Sequence, residues 1–342
     1  MKQVADLPRV HLAQLPTPLE EASRLSDALG GPRILIKRDD LTGIGLGGNK
    51  VRKLEYVIGR AIAENADTLV VCGGFQSNLA RIAAAMGCRL GLQVELLLGG
   101  IPGEKRELEG NLLLDQLYGA NIHFVDTEPR WDFGTAVEDL AEALRKQGRK
   151  PYVVPLGASS PEGMAGYIEA TEEMLDQFRQ LSVKPDYLFV AIGSGGTYSG
   201  LMLGAMNLDA PYKVAGISVS RTREYLLDKL PGDMQVTASE LGLGKVPRED
   251  DLLIFDDYIG GGYGEPTCGC SEAVTLMART EGIILDPVYS GKCMHGLIDQ
   301  IQKGIIGKDQ TVVFLHTGGW PALFSYEAGE LGLTGNAKLI AD

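Results

Sequence analysis

One lysine stands where a glycine-rich run meets a helical pattern, in Gly43-Ile44-Gly45-Leu46-Gly47-Gly48-Asn49-Lys50. At a helix start the positive end of the peptide dipoles disfavours an ammonium and favours the free amine. A free amine is what covalent capture of a carbonyl requires. A second run, Gly193-Ser194-Gly195-Gly196-Thr197, joins an apolar stretch to another helical pattern. Such a turn aims backbone N–H groups and a helix dipole at one point, which suits an anion. It holds no lysine, so a phosphate monoester suits it better than a nucleoside triphosphate. A third turn, Gly73-Gly74-Phe75-Gln76-Ser77-Asn78, offers a hydroxyl and amides, although Ser77 or Asn78 would also serve as a plain helix cap. Gly260-Gly261-Gly262-Tyr263-Gly264 carries one phenol, and His316-Thr317-Gly318-Gly319 one threonine hydroxyl.

The elements around these turns explain why they matter. Short apolar or β-branched runs at 34–37, 68–72, 94–98, 121–125, 152–154, 187–192, 213–219 and 311–316 read as strands. Helical patterns at 50–64, 78–90, 108–117, 135–146, 161–181, 198–206, 271–281 and 292–303 alternate with them. That alternation predicts an α/β fold with a largely parallel sheet, in which ligands bind at the carboxyl ends of strands. The five turns fall at such ends. No Pro/Ser-rich linker separates two halves, so two domains would be interleaved rather than strung in series. Gly43, Gly45 and Gly48 formally spell a dinucleotide fingerprint, but they lie too far past the strand, and the next strand ends in Val71-Cys72-Gly73 without an acid. Val51 after Lys50 excludes a Walker A loop. Singly, each turn is ordinary. Together an amine, an anion cup, a hydroxyl–amide pair and a terminal hydroxyl match the aldehyde, phosphate, ring oxygen and ring nitrogen of pyridoxal 5′-phosphate.

Composition narrows the field further. The chain has 342 residues, a formal net charge of −13 and 44% hydrophobic residues. It is globular rather than disordered, and its acidic balance argues against nucleic acid and anionic membranes as partners. No apolar run is long enough to span a bilayer. The N-terminal segment carries Asp6, Arg9 and His11 where a signal peptide would be apolar, so a cytoplasmic location is expected. Five cysteines do not suggest a disulfide framework. Cys268 and Cys270 lack a second pair, the four histidines are scattered, and no metal site is expected. Glycine is 45 of the residues, and sixteen of these lie in or beside the five turns.

The stretch Ile36-Lys37-Arg38-Asp39-Asp40-Leu41-Thr42, followed by Gly47-Gly48-Asn49-Lys50-Val51-Arg52-Lys53-Leu54-Glu55, resembles the signature of the pyridoxal-phosphate enzymes that include 1-aminocyclopropane-1-carboxylate deaminase and D-cysteine desulfhydrase. Gln76-Ser77-Asn78, Asp286-Pro287-Val288-Tyr289, Gly291-Lys292 and His316-Thr317-Gly318-Gly319 are similar to later motifs of that family, in family order from about residue 15 to about residue 326. The resemblance implies the tryptophan-synthase-β-like fold (fold type II): a large cofactor-binding domain from residues 1–48 plus 157–342 and a small domain from 49–156. It implies a homodimer acting on a small amino acid. Lys50 would be bonded to the cofactor, Asn78 would face its ring oxygen, and Thr317 its ring nitrogen. Ser194, Gly195, Gly196 and Thr197 would hold its phosphate. Tyr289 would lie at the ring, and Ser77 and Tyr263 would touch the substrate carboxylate or assist proton transfer. Gln76, Ser77, Asn78 and Ser290 would line the substrate's place. A threonine hydroxyl, unlike an aspartate, does not hold the ring nitrogen protonated, so the ring is a weaker electron sink and expulsion of a β-substituent is favoured. Lys50, freed by the substrate's amine, would be the general base at Cα.

Within the family, the cyclopropane deaminases are similar in having Glu after the tyrosine of the Asp-Pro-Val-Tyr motif and Leu in the His-x-Gly-Gly motif. Here Ser290 and Thr317 stand at those places, which resembles D-cysteine desulfhydrase. The expected reaction is therefore α,β-elimination releasing pyruvate, ammonia and sulfide. Phe75, Leu79, Ile82 and Thr267 depart from the family pattern near the substrate, and Phe75 and Leu79 favour a less polar pocket. Cysteate or another β-substituted amino acid, the cyclopropane substrate, and a non-catalytic cofactor-binding protein are the alternatives.

Overall fold

Two sheets of unequal size are built from interleaved parts of the chain. The computed structural model describes residues 2–100, 107–127 and 132–333. The smaller sheet has the order β5-β4-β3-β6 and is parallel throughout: β3 (Thr68–Gly74), β4 (Gln93–Gly100), β5 (Asn121–Asp126) and β6 (Pro151–Val154). Helices α4 (Asn78–Leu90), α5 (Gly110–Leu117) and α6 (Ala136–Lys146) connect its strands. The larger sheet has the order β1-β2-β10-β7-β8-β9, from β1 (Leu19–Glu21), β2 (Arg33–Lys37), β7 (Tyr187–Ile192), β8 (Lys213–Ser218), β9 (Leu253–Phe255) and β10 (Thr311–Leu315). Only its edge pair β1–β2 is antiparallel. Around it lie α1 (Lys2–Ala5), α2 (Ser23–Leu29), α7 (Pro161–Leu181), α8 (Gly196–Asn207), α9 (Arg223–Glu240), α10 (Cys268–Glu281) and α11 (Ser290–Gln302).

Strands covered on both faces must be apolar throughout, and every residue of β3 is buried. Helix α3 (Lys50–Ala63) couples the two units. Val51, Leu54, Val57 and Ile58 enter the core of the smaller sheet, while Tyr56 joins that of the larger one. It crosses α7 closely at Gly166, where a Cβ would lie 2.4 Å from the Arg52 carbonyl. The eight strands and eight helices expected from periodicity are present, β7, α4 and α7 with the expected ends and the others with ends shifted by one to three residues. Five elements were not expected: α1, α2, α9, β1 and β9. Helix α9 contains Pro231 and Gly232, which interrupt the pattern, yet Leu226, Leu230 and Met234 still share its buried face. No helix among the described residues is long and apolar enough to cross a membrane.

Candidate active site between the two sheets

Lys50 is the first residue of α3, and the loop before it is fixed by close backbone contacts. The Gly48 amide donates to the Thr42 hydroxyl (2.8 Å), and Arg81 donates to the carbonyls of Gly45 (2.7 Å) and Gly47 (3.0 Å). The Asn49 amide donates to the Thr317 carbonyl (3.0 Å), joining this loop to the turn after β10. Gly48 and Gly318 permit that contact, since a Cβ on Gly318 would lie 2.7 Å from the Gly48 Cα. The Lys50 amine donates to the Gly157 carbonyl (3.2 Å), and burial lowers its pKa to about 8. Lys53, one turn on and fully buried, donates to the same carbonyl (2.7 Å). Burial, then the charges of Lys50 and Lys229, push the Lys53 pKa well below the ordinary amine value. It pairs with no carboxylate among the described residues.

Beyond β7, Gly193-Ser194-Gly195 leads into α8, with Gly195 at φ 96°. A Cβ on Gly196 would lie 2.6 Å from Lys53 Nζ and 2.5 Å from Ser159 Oγ. The buried amine therefore stands directly behind the N-terminus of α8. Ser159 Oγ lies 2.9 Å from Ser194 Oγ, and Asn49 Nδ2 donates to Thr197 Oγ1 (2.9 Å). First-turn N–H groups have no partner inside their helix, so dipole and amine together form a site for one anion.

At the end of β3, Ser77 caps α4, its hydroxyl accepting from the Ala80 amide (3.2 Å). Asn78 Oδ1 accepts from Asn111 Nδ2 (2.9 Å), so its own Nδ2 turns to the Thr317–Gly319 side, 2.9 Å from where a Gly319 Cβ would be. On the opposite wall, Asp286 accepts from the amides of Val288 (2.9 Å), Tyr289 (2.8 Å) and Ser290 (2.9 Å), fixing the start of α11. Tyr289 Oη lies 2.6 Å from Tyr263 Oη, with the rings edge to face. Burial, with Tyr263 beside it, holds the Tyr289 phenol well above its usual pKa. His316 holds the threonine turn from behind, its Nδ1 accepting from the Gly318 amide (3.2 Å) and its Nε2 donating to the Ile284 carbonyl (3.0 Å). That bonding needs the neutral ring, and burial lowers the His316 pKa accordingly.

The structure brings Lys50, Ser77, Asn78, Ser194, Gly195, Thr197, Tyr263, Tyr289 and Thr317 onto one cavity, with Gly196 between two of its lining residues. Leu79 lines it too, whereas Phe75 packs edge to face on Phe124 and faces an outer cleft. Two expected substrate residues lie off the cavity. Gln76 faces the outer cleft and binds the start of α5, its Nε2 donating to the Glu109 carbonyl (3.1 Å) and its Oε1 accepting from the Asn111 amide (2.7 Å). Ser290 is buried with its hydroxyl on Asp286 (2.6 Å). Asn49, Asp286 and Lys53 stand in the motifs quoted from the sequence but were given no role there, and Ser159 and Arg221 were not singled out. For Lys53 a signal existed, because three residues after Lys50 is the same helix face.

A vitamin-derived aldehyde bearing a phosphate fits this cavity. Its carbonyl needs a free amine, which burial of Lys50 favours, and its phosphate would give the buried Lys53 amine, which has no counter-ion among the described residues, an anion to pair with once protonated. A family model described as pyridoxal-phosphate dependent enzyme matches residues 10–318. The D-cysteine desulfhydrase of Salmonella typhi is 42% identical over 324 residues, covering 93% of this chain and 96% of that protein. A Pyrococcus abyssi protein provisionally named 1-aminocyclopropane-1-carboxylate deaminase is 38% identical over 319 residues, covering 93% and 94%. A crystal structure described as an ACC deaminase homologue superposes with a TM-score of 0.89 at 39% identity, covering 97% of this chain and 98% of that one.

Proposed function

This chain belongs to the family of pyridoxal-phosphate dependent enzymes, with the tryptophan-synthase-β-like fold, and on that premise we propose that it eliminates the β-substituent of D-cysteine, giving pyruvate, ammonia and sulfide. Relatives named as desulfhydrase and deaminase, similar over nearly the whole chain, support a lyase that acts on a small amino acid. Residues 49–156 serve as the small domain and residues 1–48 plus 157–342 as the large one. We also read the enzyme as a cytoplasmic homodimer; its five cysteines are all free thiols.

When bound, the cofactor supplies a carbonyl for Lys50 and a ring that accepts the electron pair left at Cα. The observation that carries the reading is the pair of buried amines, Lys50 with a pKa of about 8 and Lys53 without a counter-ion among the described residues. Lys53 and the first turn of α8, with Ser194, Gly195, Gly196 and Thr197, would hold the phosphate. Asn78 would donate to the ring oxygen through Nδ2, and Thr317 would face the ring nitrogen. Near neutral pH, Lys50 exchanges protons readily, so it can take the proton at Cα and return one later; such a base contributes about 10²–10⁴-fold. Ser77 would bind the substrate carboxylate. Tyr263, hydrogen-bonded to Tyr289, would carry a proton to or from the leaving group.

Arg221 favours a second reading. It lines the cavity, its guanidinium lies over the Tyr225 ring (5.1 Å), and it pairs with no carboxylate among the described residues. An unpaired guanidinium suits an anionic β-substituent such as the sulfonate of cysteate. Keto-acid release from D- and L-cysteine, cysteate, serine and 1-aminocyclopropane-1-carboxylate decides among them. Fastest turnover of D-cysteine is expected. Turnover of the cyclopropane amino acid alone would contradict the reading.

A further inference from the structure

Lys292 is fully buried in the first turn of α11 and pairs with no carboxylate among the described residues. Its ammonium instead donates to two backbone carbonyls, those of Ile259 and Gly262, each at 2.7 Å. One carbonyl lies just before the glycine run that carries Tyr263, and the other directly before Tyr263 itself. Gly260, Gly262 and Gly264 hold φ values of 68°, 148° and 81°, so the run uses conformations that only glycine adopts freely. A segment of this composition has many alternatives and little side-chain packing to choose among them. The side-chain amine supplies the choice. Cys270, Glu265 and Asp286 are the titratable groups whose charges act on it, and Glu265 folds back over the run, its Oε2 2.1 Å from where a Gly261 Cβ would lie.

The geometry has a consequence for the tyrosine pair. Tyr289 precedes α11 directly, and Asp286 fixes that helix start through the Val288, Tyr289 and Ser290 amides. Tyr289 and Lys292 therefore project from one rigid turn. One of them meets the Tyr263 phenol at 2.6 Å, and the other holds the backbone that bears it.

We propose that Lys292 is a positioning residue: by binding the Ile259 and Gly262 carbonyls it fixes the glycine run so that the Tyr263 phenol stays on Tyr289, without itself touching substrate. The proposal rests on Tyr263 being the substrate-facing phenol assigned above, and its test separates the two ideas. In Lys292→Met, hydrogen exchange of peptides covering residues 257–266 is expected to accelerate at least about tenfold, with and without cofactor, while β7 and α8 stay unchanged. Exchange of that segment at the wild-type rate would overturn the proposal. Lys292→Gln, which keeps two donors on a shorter side chain, serves if the methionine variant does not fold, with about threefold acceleration expected and none contradicting. A kinetic cycle with D-cysteine gives the second readout. Lys292→Met should lower kcat more than it raises KM, and Lys292→Met/Tyr263→Phe should be no slower than Tyr263→Phe within about twofold. Multiplicative losses in the double variant would overturn the proposal. Wild-type turnover in Tyr263→Phe would defeat the role given to Tyr263, whereas accelerated exchange in Lys292→Met would still support the hold on the run.

Discussion

Helix α3 buries charge on two faces, and the faces differ in how that charge is answered. On one, Arg52 donates to both oxygens of Asp39 (2.9 Å each) and to Glu173 (2.8 and 3.0 Å), and Tyr167 donates to Asp39 (2.6 Å). Glu55, on the same helix, accepts from Arg9 and from the amides of Leu12 and Ala13. Burial pushes the Asp39 pKa up, but Arg52 and Lys37 more than offset it and hold the carboxyl below its usual range. The opposite face carries Lys50 and Lys53, whose acceptors among the described residues are the Gly157 carbonyl and, for Lys53, the Ser159 hydroxyl. Lys37 in the paired network is also lowered by burial, yet Asp39 and Glu173 oppose that shift; for Lys53 the neighbouring charges of Lys50 and Lys229 add to it. Buried charge that is fully partnered holds a fold together, while buried charge left unpartnered marks where a ligand belongs.

Substitutions at the two faces should therefore move stability and chemistry in opposite senses. Lys50→Ala is expected to lose more than about 10³-fold in kcat, because base and covalent attachment go together, and the visible absorbance of the lysine-bound cofactor should vanish while the protein stays folded. Arg52→Met takes from Asp39 its guanidinium partner and leaves Glu173 to Lys37, and should cost about 3–5 kcal/mol in denaturant unfolding, whereas the folded fraction keeps its absorbance band. Lys53→Met reverses that sign. Thermal melting of the cofactor-free protein should rise, and cofactor affinity should fall roughly 10–100-fold, the worth of one charged hydrogen bond. A lower melting temperature for cofactor-free Lys53→Met would erase the distinction between the faces.

Smaller effects sharpen it. Only the neutral form of Lys50 attacks a carbonyl, so the rate of cofactor capture by the cofactor-free protein should climb about tenfold per pH unit and level off above about 8. Stopped-flow absorbance across pH 6–10 reads this directly, and a plateau reached only above about pH 10 would show an amine not lowered by burial. Ser290→Ala removes a hydrogen bond to Asp286 and should cost about 1 kcal/mol in denaturant unfolding with KM unchanged.

Much of this was legible in the sequence. The turns carrying Lys50, Ser194–Thr197, Asn78 and Thr317 lie at strand ends, where period and glycine content locate them. Gln76 and Ser290 were misplaced for a common reason. Their neighbours face the cavity, but the Gln76 side chain accepts from the Asn111 amide and the Ser290 hydroxyl accepts from the Asp286 amide and donates to its carboxylate, a bonding pattern that residue type alone does not reveal. Ser159 and Arg221 were missed because they lie in irregular segments after β6 and β8, where no periodicity points. The β9 strand of three residues is too short to carry a pattern, and Pro231 hid α9.

Borohydride reduction of the purified enzyme, followed by peptide mass spectrometry, tests the central claim most directly. The account predicts the mass of a phosphopyridoxyl group on Lys50. The same mass on Lys53 or any other lysine, or no such mass on any peptide, would contradict it.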